Sequence, residues 1–588
     1  MTHALHGLGW GAKRSTALLL AAALTLVVAL APVAPASSES SFVSVIVREL
    51  PGTSGAVAFI ERNGGAVVAT METINGFVAE VPAHLVSGIA SFGSVASVTQ
   101  DFAVDLSGAG WDTSGKDATA MPELAQDMAV DNLWTSGLTG KGVTVALIDS
   151  GVTRVEGLKT SGKVINGPDL SFDSQIAGME YLDAYGHGTH LAGIIAGRDS
   201  SAPATLGNKD LKKHFLGVAP DARILNMKVG AADGAVDVSQ VLAAIDWVVQ
   251  HRNDNGMNVR VMNLSFGTNS SQSYLIDPLA YAVQVAWNAG IVVVVAAGND
   301  GNSQALRNPA TNPYVIAVGA LDTQGNGRQG DNRVATYSNC GTNARSVDLV
   351  APGESIASLR VPGSYADVNY PGAVVDGTLF KGTGSSQAAA AVSGAAALLL
   401  EKYPTYTPDQ VKAHLKANTT PVYGNPAAKC VGAGQVEMWN AYNALPVGPS
   451  VQNHTQATGT GTLEGARGSD HLENSGVVLA GELDIFGMPF VSSAWAPLAL
   501  TGSSWSGGDW NGSSWSGSSW SGSSWSGSSW SGSSWSGSSW SGSSWSGAIW
   551  NGSSWSGSSW SGSSWSGSSW SGNNWTGLSW DHGKRSIR

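Results

Sequence analysis

Between Asp131 and Asn443, short runs of consecutive apolar residues alternate with segments whose apolar residues recur about every 3.6 positions. The runs are rich in β-branched residues, which is typical of strands buried on both faces of a parallel sheet. We expect strands at Gly142–Ile148, Val259–Leu264, Ile291–Ala296, Tyr314–Val318 and Val347–Val350. We expect helices at Val238–Gln250, at Leu279–Trp287, and from near Ser386 through Ala388–Leu400 to a stop before Pro404. The pattern predicts an α/β domain with a mostly parallel sheet, which we assign to residues 122–444.

Two segments with a different pattern precede this domain. Phe42–Leu106 alternates short apolar runs with turn residues such as Asn63-Gly64-Gly65, which indicates a small α+β domain at 37–106. Ser107–Met121 is poor in apolar residues and rich in Gly, Asp, Ser and Thr, so we interpret 107–121 as a linker or processing region.

The first 36 residues carry the features of a secretory signal peptide. Basic residues end at Lys13 and Arg14, an apolar run covers Ala17–Leu30, and small residues follow at Ala34-Pro35-Ala36. The alternative is a transmembrane anchor, but spanning a bilayer takes ~20 apolar residues and this run is shorter. We therefore expect a secreted protein, extracellular or associated with the cell surface.

The C-terminal part of the chain is a repeat. From Trp505 to Trp580 a tryptophan occurs at every fifth position, mostly as Ser-Ser-Trp-Ser-Gly. An odd period places successive tryptophans on opposite faces of a strand, so we expect a short-strand solenoid or stacked hairpins at 501–588. The alternative is a flexible linker. We interpret residues 445–500 as a connecting region and assign no activity to them.

Composition narrows the classes of partner and the compartment. The formal net charge is -12 and only 13% of residues are charged, which provides no basic surface for nucleic acid. The two cysteines, Cys340 and Cys430, fit an oxidising compartment and are candidates for a disulfide, although the sequence does not give the distance between them.

Three short segments supply the groups that amide hydrolysis needs. Asp149 ends an apolar strand, at the edge where open α/β sheets build their sites. His187 lies between two glycines at the expected start of a helix, and Ser386 follows small residues before another helix. A serine hydroxyl needs an imidazole to accept its proton and a carboxylate to orient the imidazole. We predict that Asp149 orients, His187 is the base and Ser386 is the nucleophile.

A fourth segment, Ala296-Ala297-Gly298-Asn299, offers a side-chain amide after a buried strand. Asn299 is the candidate donor to the oxyanion, together with the amide of Ser386. Taken singly, a strand-ending aspartate is usually a turn residue and a histidine flanked by glycines often caps a helix. The combination, in the order Asp, His, Ser, favours a catalytic triad over those separate roles.

From about Asp131 to Asn443 the chain resembles the subtilisin-like serine peptidases. The matching segments are Ile148-Asp149-Ser150-Gly151, His187-Gly188-Thr189-His190, Gly217-Val218-Ala219-Pro220, Asn263-Leu264-Ser265-Phe266-Gly267, Ala297-Gly298-Asn299 and Ala351-Pro352-Gly353. The resemblance implies a three-layer fold and a serine endopeptidase that acts on proteins and peptides through an acyl-enzyme intermediate. It also implies that Ser265, Phe266 and Gly267 line one wall of the substrate groove and pair with the substrate as a strand, with Gly230–Gly234 as the opposite wall.

The nucleophile segment departs from the pattern of the family. It reads Gly384-Ser385-Ser386 where the family has Gly-Thr-Ser, and Ala390 stands at the position of a proline. Counting back from Val392-Ser393-Gly394 selects Ser386 over Ser385. Neither change removes a catalytic atom. A loop at Asp199–Phe215 is also longer than in compact members of the family.

The resemblance further implies that the small domain is an inhibitory prodomain, removed when the protease cuts itself between Asp105 and Met121. An unrelated small domain is the alternative. Catalysis in such enzymes requires no cofactor; calcium commonly stabilises the family, and the sequence assigns no metal ligands here.

Two further readings of the whole chain compete with a protease. One is a surface-binding protein or adhesin with an inactive peptidase-like domain, but none of Asp149, His187, Ser386 and Asn299 is missing. The other is a lipase or esterase, which calls for Gly-x-Ser-x-Gly and a triad with Ser first. For the tryptophan repeats, aromatic ladders suggest attachment to cell wall or polysaccharide.

Overall fold

The computed structural model describes residues 42–50, 53, 55–71, 76–100, 110–175, 179–207, 210, 212–469, 471, 473–474, 477–484 and 489–501. It also describes the backbone of 514–522, 525–571 and 574–576. The expected signal peptide at 1–36 and the first residues of the expected linker, 107–109, lie outside the described residues. Within the described ranges, no helix combines the length and the apolar character needed to cross a bilayer.

The N-terminal domain, residues 42–100, is an antiparallel sheet packed against two helices. Its elements are β1 (Phe42–Glu49), α1 (Ala56–Arg62), β2 (Ala66–Met71), β3 (Gly76–Pro82), α2 (Val86–Ala90) and β4 (Val95–Gln100). Strand β1 pairs with β3 and β4, and β2 continues the sheet beyond β3. Val45 and Val47 of β1 pack against Ile60 of α1 and Ile89 of α2 in one apolar core. The α+β content agrees with the sequence pattern.

The central sheet of the main domain has eight strands. They are β6 (Thr144–Asp149), β7 (Val164–Asn166), β8 (Arg223–Lys228), β9 (Val259–Leu264), β10 (Val292–Ala296), β11 (Ile316–Asp322), β12 (Arg333–Val334) and β13 (Leu349–Pro352). Their order is β12-β11-β10-β9-β6-β8-β7, and β13 pairs with β11 as well. All described pairs are parallel except β11 with β12. The predicted mostly parallel sheet is confirmed.

Further short strands and the helices complete this domain. The strands are β5 (Gly110–Trp111), β14 (Ile356–Leu359), β15 (Val374–Val375) and β16 (Leu379–Thr383). The helices are α3 (Met121–Asp127), α4 (Asp131–Thr135), α5 (His187–Ala196), α6 (Val238–His251), α7 (Pro278–Asn288), α8 (Tyr365–Asn369), α9 (Ser385–Lys402), α10 (Pro408–Ala417), α11 (Ala428–Val431) and α12 (Met438–Asn443). Single 3₁₀ turns lie at Ala83–Leu85, Phe172–Gln175, Asp254–Gly256, Gln329–Asp331 and Pro371–Ala373.

Burial explains why the apolar runs became strands. Every residue of β6 and β10 is buried, so these strands need cover on both faces of the sheet. Helix α9 packs against α5 and strands β9 to β11, while α6 packs against α7. Helix α6 begins at Asp237, whose carboxylate accepts from the Ser239 amide within a capping box.

The sequence pattern missed β8 because polar residues interrupt it. Its six residues, Arg-Ile-Leu-Asn-Met-Lys, are buried except for the partly exposed Arg223. Lys228 is buried because its ammonium group donates to Asp173 at 2.9 Å and to the Leu182 carbonyl at 2.6 Å. A buried lysine is tolerated when it is paired and hydrogen-bonded, and a pattern of apolar residues does not reveal that pairing.

The structure corrects the interpretation of 107–121 as a linker. Trp111 is 8% exposed, and β5 pairs with β16 antiparallel, with Trp111 opposite Gly382. Thr119 is buried and its amide donates to the Ser355 carbonyl. Residues 110–121 are therefore packed against the main domain, because one buried tryptophan and a strand pairing outweigh the polar composition.

The region 445–500 is likewise more than a connection. Its elements are α13 (Leu463–Arg467), β17 (Glu473–Asn474), β18 (Val477–Val478) and α14 (Ser492–Thr501). Arg467 is fully buried, and its guanidinium donates to both carboxylate oxygens of Asp237, at 2.6 and 3.2 Å. Trp495 of α14 lies edge-on to Tyr281. Strand β17 pairs with β4 at Thr99, so this region also extends the sheet of the N-terminal domain.

The backbone of the repeat forms parallel strands β19 (Ser514–Gly522), β20 (Trp525–Ser571) and β21 (Asn574–Thr576). Trp515 is opposite Trp535, and Trp555 is opposite Trp575, so both pairings are offset by 20 residues, or four pentapeptides. Parallel pairing at a constant offset corresponds to a solenoid and excludes stacked hairpins for these pairs, since hairpins are antiparallel.

Candidate active site

Asp149 and His187 form a buried pair at the carboxyl end of β6. Asp149 is the last residue of β6, and His187 is the first residue of α5. Their side chains are 1% and 0% exposed, and His187 Nδ1 lies 2.8 Å from Asp149 Oδ1 and 3.0 Å from Oδ2. A carboxylate at this distance favours a proton on Nδ1, which leaves Nε2 as the basic nitrogen.

A second aspartate, Asp183, fixes the helix that carries His187. Its carboxylate accepts from the backbone amides of Gly186 at 2.6 Å and Thr189 at 2.7 Å, which are among the unpaired donors at the start of α5. Ser150 joins the two aspartates, because its hydroxyl lies 2.8 Å from Asp183 Oδ1 and 3.2 Å from Asp149 Oδ1. Burial raises the pKa of Asp183, while the surrounding donors oppose that rise.

The glycine after the histidine is required by close packing. A methyl group at Gly188 would lie 2.2 Å from the carbonyl oxygen of Gly151 and 3.2 Å from Asp149 Oδ1. The amide of Gly188 donates to the Ser150 hydroxyl at 3.0 Å. Any side chain at position 188 would therefore push the histidine helix away from the strand that carries Asp149.

The two serines before α9 have different surroundings. The Ser385 hydroxyl exchanges hydrogen bonds with Gly298, at 3.1 Å from its amide and 3.2 Å from its carbonyl. The buried Ser386 Oγ has no hydrogen-bond partner among the described residues, and neither has His187 Nε2. In unliganded sites such a nucleophile–base bond is often long and tightens only with substrate. Ser386 is therefore the serine with an uncommitted hydroxyl.

Asn299 lies next to the nucleophile. Its Oδ1 accepts from the Ser385 amide at 2.8 Å, which turns the amide nitrogen Nδ2 in another direction. A methyl group at Gly384 would lie 3.2 Å from Asn299 Nδ2 and 3.7 Å from the amide nitrogen of Ser386. Two N–H donors therefore border the space that Gly384 leaves open, which is the arrangement that stabilises a carbonyl oxygen as it gains negative charge.

The residues expected along the substrate groove lie close to these groups. The Ser265 hydroxyl is 3.4 Å from the Ser386 carbonyl oxygen, and Gly267 follows directly in the chain. Phe266 packs its side chain into the main core. The other two expected wall residues are Gly230 and Gly234. A methyl group at Gly230 would lie 3.1 Å from Ser150 Cα, and one at Gly234 2.9 Å from the Tyr185 ring.

Trp111 and His190 lie behind the catalytic histidine. The ring of Trp111 meets those of His187 and His190 edge-on, with centroids 6.3 and 5.6 Å apart. His190 Nε2 donates to the carbonyl oxygens of Ile356 at 3.2 Å and Phe380 at 3.0 Å. Burial, and then the neighbouring His187, lowers the pKa of His190 to about 4, so this histidine is neutral at physiological pH.

The remaining candidates concern metals and the disulfide. Cys340 and Cys430 are joined as a disulfide, with Cα atoms 4.2 Å apart. Across the described residues, no group of three or more His, Cys, Asp and Glu side chains is arranged to hold a metal ion. The described side chains thus offer no such cluster for calcium, and no step below involves a metal.

Sequence reasoning missed three residues that position the site: Ser150, Asp183 and Ser385. A signal for Asp183 was available, because an aspartate a few residues before a helix start is a usual capping residue. The roles of Ser150 and Ser385 carried no such signal, since each depends on a partner far away in the chain.

Comparison with known proteins agrees with this geometry. The profile of the subtilase family of peptidases matches residues 140–444. Serine protease AprX of Bacillus subtilis is 36% identical over 316 residues, which is 53% of this chain and 67% of AprX. Subtilisin DY of Bacillus licheniformis is 33% identical, over 49% of this chain and 88% of that protein. The structure of fervidolysin from Fervidobacterium pennivorans is 25% identical, with a TM-score of 0.46, over 70% of this chain and 62% of that chain.

Proposed function

The chain belongs to the subtilase family of serine-type endopeptidases, and we propose that it is secreted and cuts proteins with Asp149, His187 and Ser386. The observation that carries the proposal is the buried Asp149–His187 pair, in a site where Ser386 Oγ and His187 Nε2 are both uncommitted among the described residues. No other role requires these three groups in one buried site beside a side-chain amide.

The proposed reaction follows from the positions of these atoms. Ser386 Oγ forms a bond to the carbonyl carbon of the substrate while its proton passes to His187 Nε2, and the carbonyl electron pair moves to the oxygen. His187 then gives the proton to the leaving amine as the C–N bond breaks. Water repeats the sequence on the acyl-enzyme and releases the acid. Asp149 stays ionised and stabilises the imidazolium.

Asn299 and the amide of Ser386 are the proposed donors to the oxyanion. The Ser386 amide lies in the first turn of α9, where backbone N–H groups have no partner within the helix. Asn299 is held by the Ser385 amide, which keeps its Nδ2 in place without reorganisation during the reaction. Ser265, Phe266 and Gly267 on one side, with Gly230 and Gly234 on the other, are the proposed walls of the substrate groove.

Residues 37–106 are the proposed inhibitory prodomain. Supporting this, the segment that leaves the domain passes beside the site: Gly110 and Trp111 pair with the strand that leads to Ser386, and the Trp111 ring faces His187. Because Trp111 belongs to an apolar cluster with Phe380, we propose that self-cleavage occurs before Gly110 and leaves Trp111 in the mature enzyme.

The tryptophan repeat is proposed as an attachment module for cell wall or polysaccharide. The parallel 20-residue offset supports a regular solenoid, which would repeat tryptophan at constant intervals. The test is sedimentation of the full chain with cell wall or insoluble polysaccharide, compared with a chain in which tryptophans of 505–580 are changed to serine. Equal sedimentation of both chains would remove this part of the proposal.

The test of the protease proposal compares the wild type with Ser386→Ala and with Ser385→Ala. Ser386→Ala should lower casein hydrolysis by roughly 10⁵- to 10⁶-fold, abolish labelling by a fluorophosphonate and block release of the prodomain, because the nucleophile is lost. Ser385→Ala should retain labelling. If Ser386→Ala still hydrolyses casein and matures, the assignment is wrong and the adhesin alternative gains support.

A further inference from the structure

We propose that Gln387 is a further catalytic residue, one that donates a second side-chain hydrogen bond to the oxyanion. The inference rests on the proposed role of Ser386, which Gln387 directly follows in the first turn of α9. It starts from an anomaly in burial. Gln387 is 0% exposed, yet neither its amide oxygen nor its amide nitrogen has a hydrogen-bond partner within the part of the chain that the structure describes.

A buried side-chain amide without partners destabilises a folded protein. The group loses its hydrogen bonds to water and gains none in return, whereas an apolar side chain of the same length would fill the space at no such cost. The other buried glutamines show the usual arrangement: the Gln240 nitrogen donates to the carbonyl of Leu170 and the Gln284 oxygen accepts from the amide of Ala457. Gln387 therefore carries an uncommitted hydrogen-bonding group beside the nucleophile.

The position of that group points to its partner. A methyl group at Gly384 would lie 2.9 Å from Gln387 Oε1, 3.2 Å from Asn299 Nδ2 and 3.7 Å from the Ser386 amide nitrogen. The amide of Gln387 thus borders the same open space as the two proposed oxyanion donors. On its other side, a methyl group at Gly382 would lie 2.5 Å from Gln387 Nε2.

The amide can present its nitrogen to this space. No described residue holds either end of the group, so a half-turn about its last torsion exchanges Oε1 and Nε2. A developing negative charge at the carbonyl oxygen of the substrate would favour the orientation with Nε2 inward, because an N–H donor stabilises an oxyanion and a second oxygen repels it. In the ground state the weaker partial charge gives less reason for this turn, so the interaction strengthens in the transition state.

The experiment replaces Gln387 by methionine, which keeps the length and removes the amide. We expect kcat to fall by about tenfold while KM changes less than about twofold, because the lost donor acts in the transition state. The inhibition constant of a peptide aldehyde, which forms a tetrahedral adduct with the serine, should rise in the same proportion. The midpoint of urea unfolding should stay the same or rise, because a buried unpaired amide has been removed.

The matched control is Gln284→Met in α7, where the same replacement removes an amide that is hydrogen-bonded and remote from Ser386. That variant should lose stability and keep kcat and the aldehyde inhibition constant. Gln387→Glu is the second variant: it keeps the shape, and its carboxylate faces the oxyanion with no donor when ionised, so kcat should fall further than in the methionine variant.

Unchanged kcat and unchanged aldehyde inhibition in Gln387→Met would overturn the proposal and leave Gln387 as a packing residue or the ligand of a structural water. Fluorophosphonate labelling of the same samples separates this failure from the larger one. If Ser386 is labelled in the wild type and in Gln387→Met, the proposed nucleophile stands and only the role of Gln387 falls. If Ser386 is not labelled in the wild type, the proposed function itself fails.

Discussion

The N-terminal domain and the peptidase domain form their interiors in different ways. In the N-terminal domain the described core is apolar, with β1 and β3 contributing alternate residues and α1 and α2 covering them. In the peptidase domain the sheet is buried through whole strands, and charged groups are buried with it, among them Lys228 with Asp173 and Arg467 with Asp237.

The difference relates each interior to a task. A parallel sheet covered on both faces can hold a carboxylate and an imidazole in fixed positions at its edge, away from water, where their electrostatic interaction is strong. A small antiparallel sheet with an apolar core folds around local contacts and buries no such pair among its described residues. The first suits chemistry, and the second suits a domain that binds and is then removed.

The largest expected effect concerns a buried ion pair in the peptidase domain. Arg467→Ala leaves the Asp237 carboxylate buried without its main partner, so the free energy of unfolding should fall by about 3–5 kcal/mol. Urea denaturation of the Ser386→Ala background measures it. The matched control is Arg62→Ala in the exposed last turn of α1, which should change stability by less than about 0.5 kcal/mol. Equal effects of the two changes would contradict the contrast between the domains.

The next effect is catalytic. Asn299→Ala should lower kcat by about 100- to 1,000-fold, since one oxyanion donor is lost, with little change in KM. The anchor of Asn299 is the Ser385 amide, so the neighbouring backbone should remain in place. Steady-state kinetics on a peptide substrate checks this, with Asn302→Ala as a nearby surface control. A change confined to KM would indicate that Asn299 binds substrate and does not stabilise the transition state.

A pH effect of intermediate size should come from His190. Its folded pKa of about 4 lies below its ordinary value of 6.5, so between these values the unfolded chain binds a proton that the folded chain does not. The contribution of His190 to stability is therefore complete above about pH 6.5. It is lost as the pH falls toward 4, by at most on the order of 3 kcal/mol.

His190→Gln keeps a donor for the Ile356 and Phe380 carbonyls and removes the titration. The difference in unfolding free energy between wild type and variant, measured near pH 7 and near pH 4.5, isolates His190 from the buried carboxyls of Asp127 and Asp169, whose pKa values burial raises to about 6. The same pH dependence in both proteins would show that another group is responsible.

The smallest effect should be in the N-terminal domain. Ile60→Val removes one methylene group from its core and should cost about 1 kcal/mol. Because that domain has few other core residues, we expect faster proteolysis of 42–100 by an added protease in the Ser386→Ala chain, with the peptidase domain unaffected. Glu61→Ala, at the exposed neighbouring position, is the control. Loss of protection in both domains together would show that they unfold as one unit.

Much of the peptidase domain could be predicted from the sequence. The bounds of β9 agree with the expected strand Val259–Leu264, and α9 begins one residue before Ser386 and ends before Pro404. These elements are legible because buried parallel strands and long helices have strong, local patterns. Strand β8 was missed because its lysine is buried through an ion pair with a residue 55 positions away.

By itself, the sequence determined the α/β class, the residue types of the site and their order along the chain, because strand ends, glycines and helix starts are local features. Tertiary structure alone decided which groups meet: that the Ser385 hydroxyl is held by Gly298, that Asp183 fixes the helix of His187, and that residues 110–121 and 445–500 pack as part of the domain. Each depends on contacts between residues far apart in the chain, where the free energy of burial and pairing, and not local pattern, selects the partner.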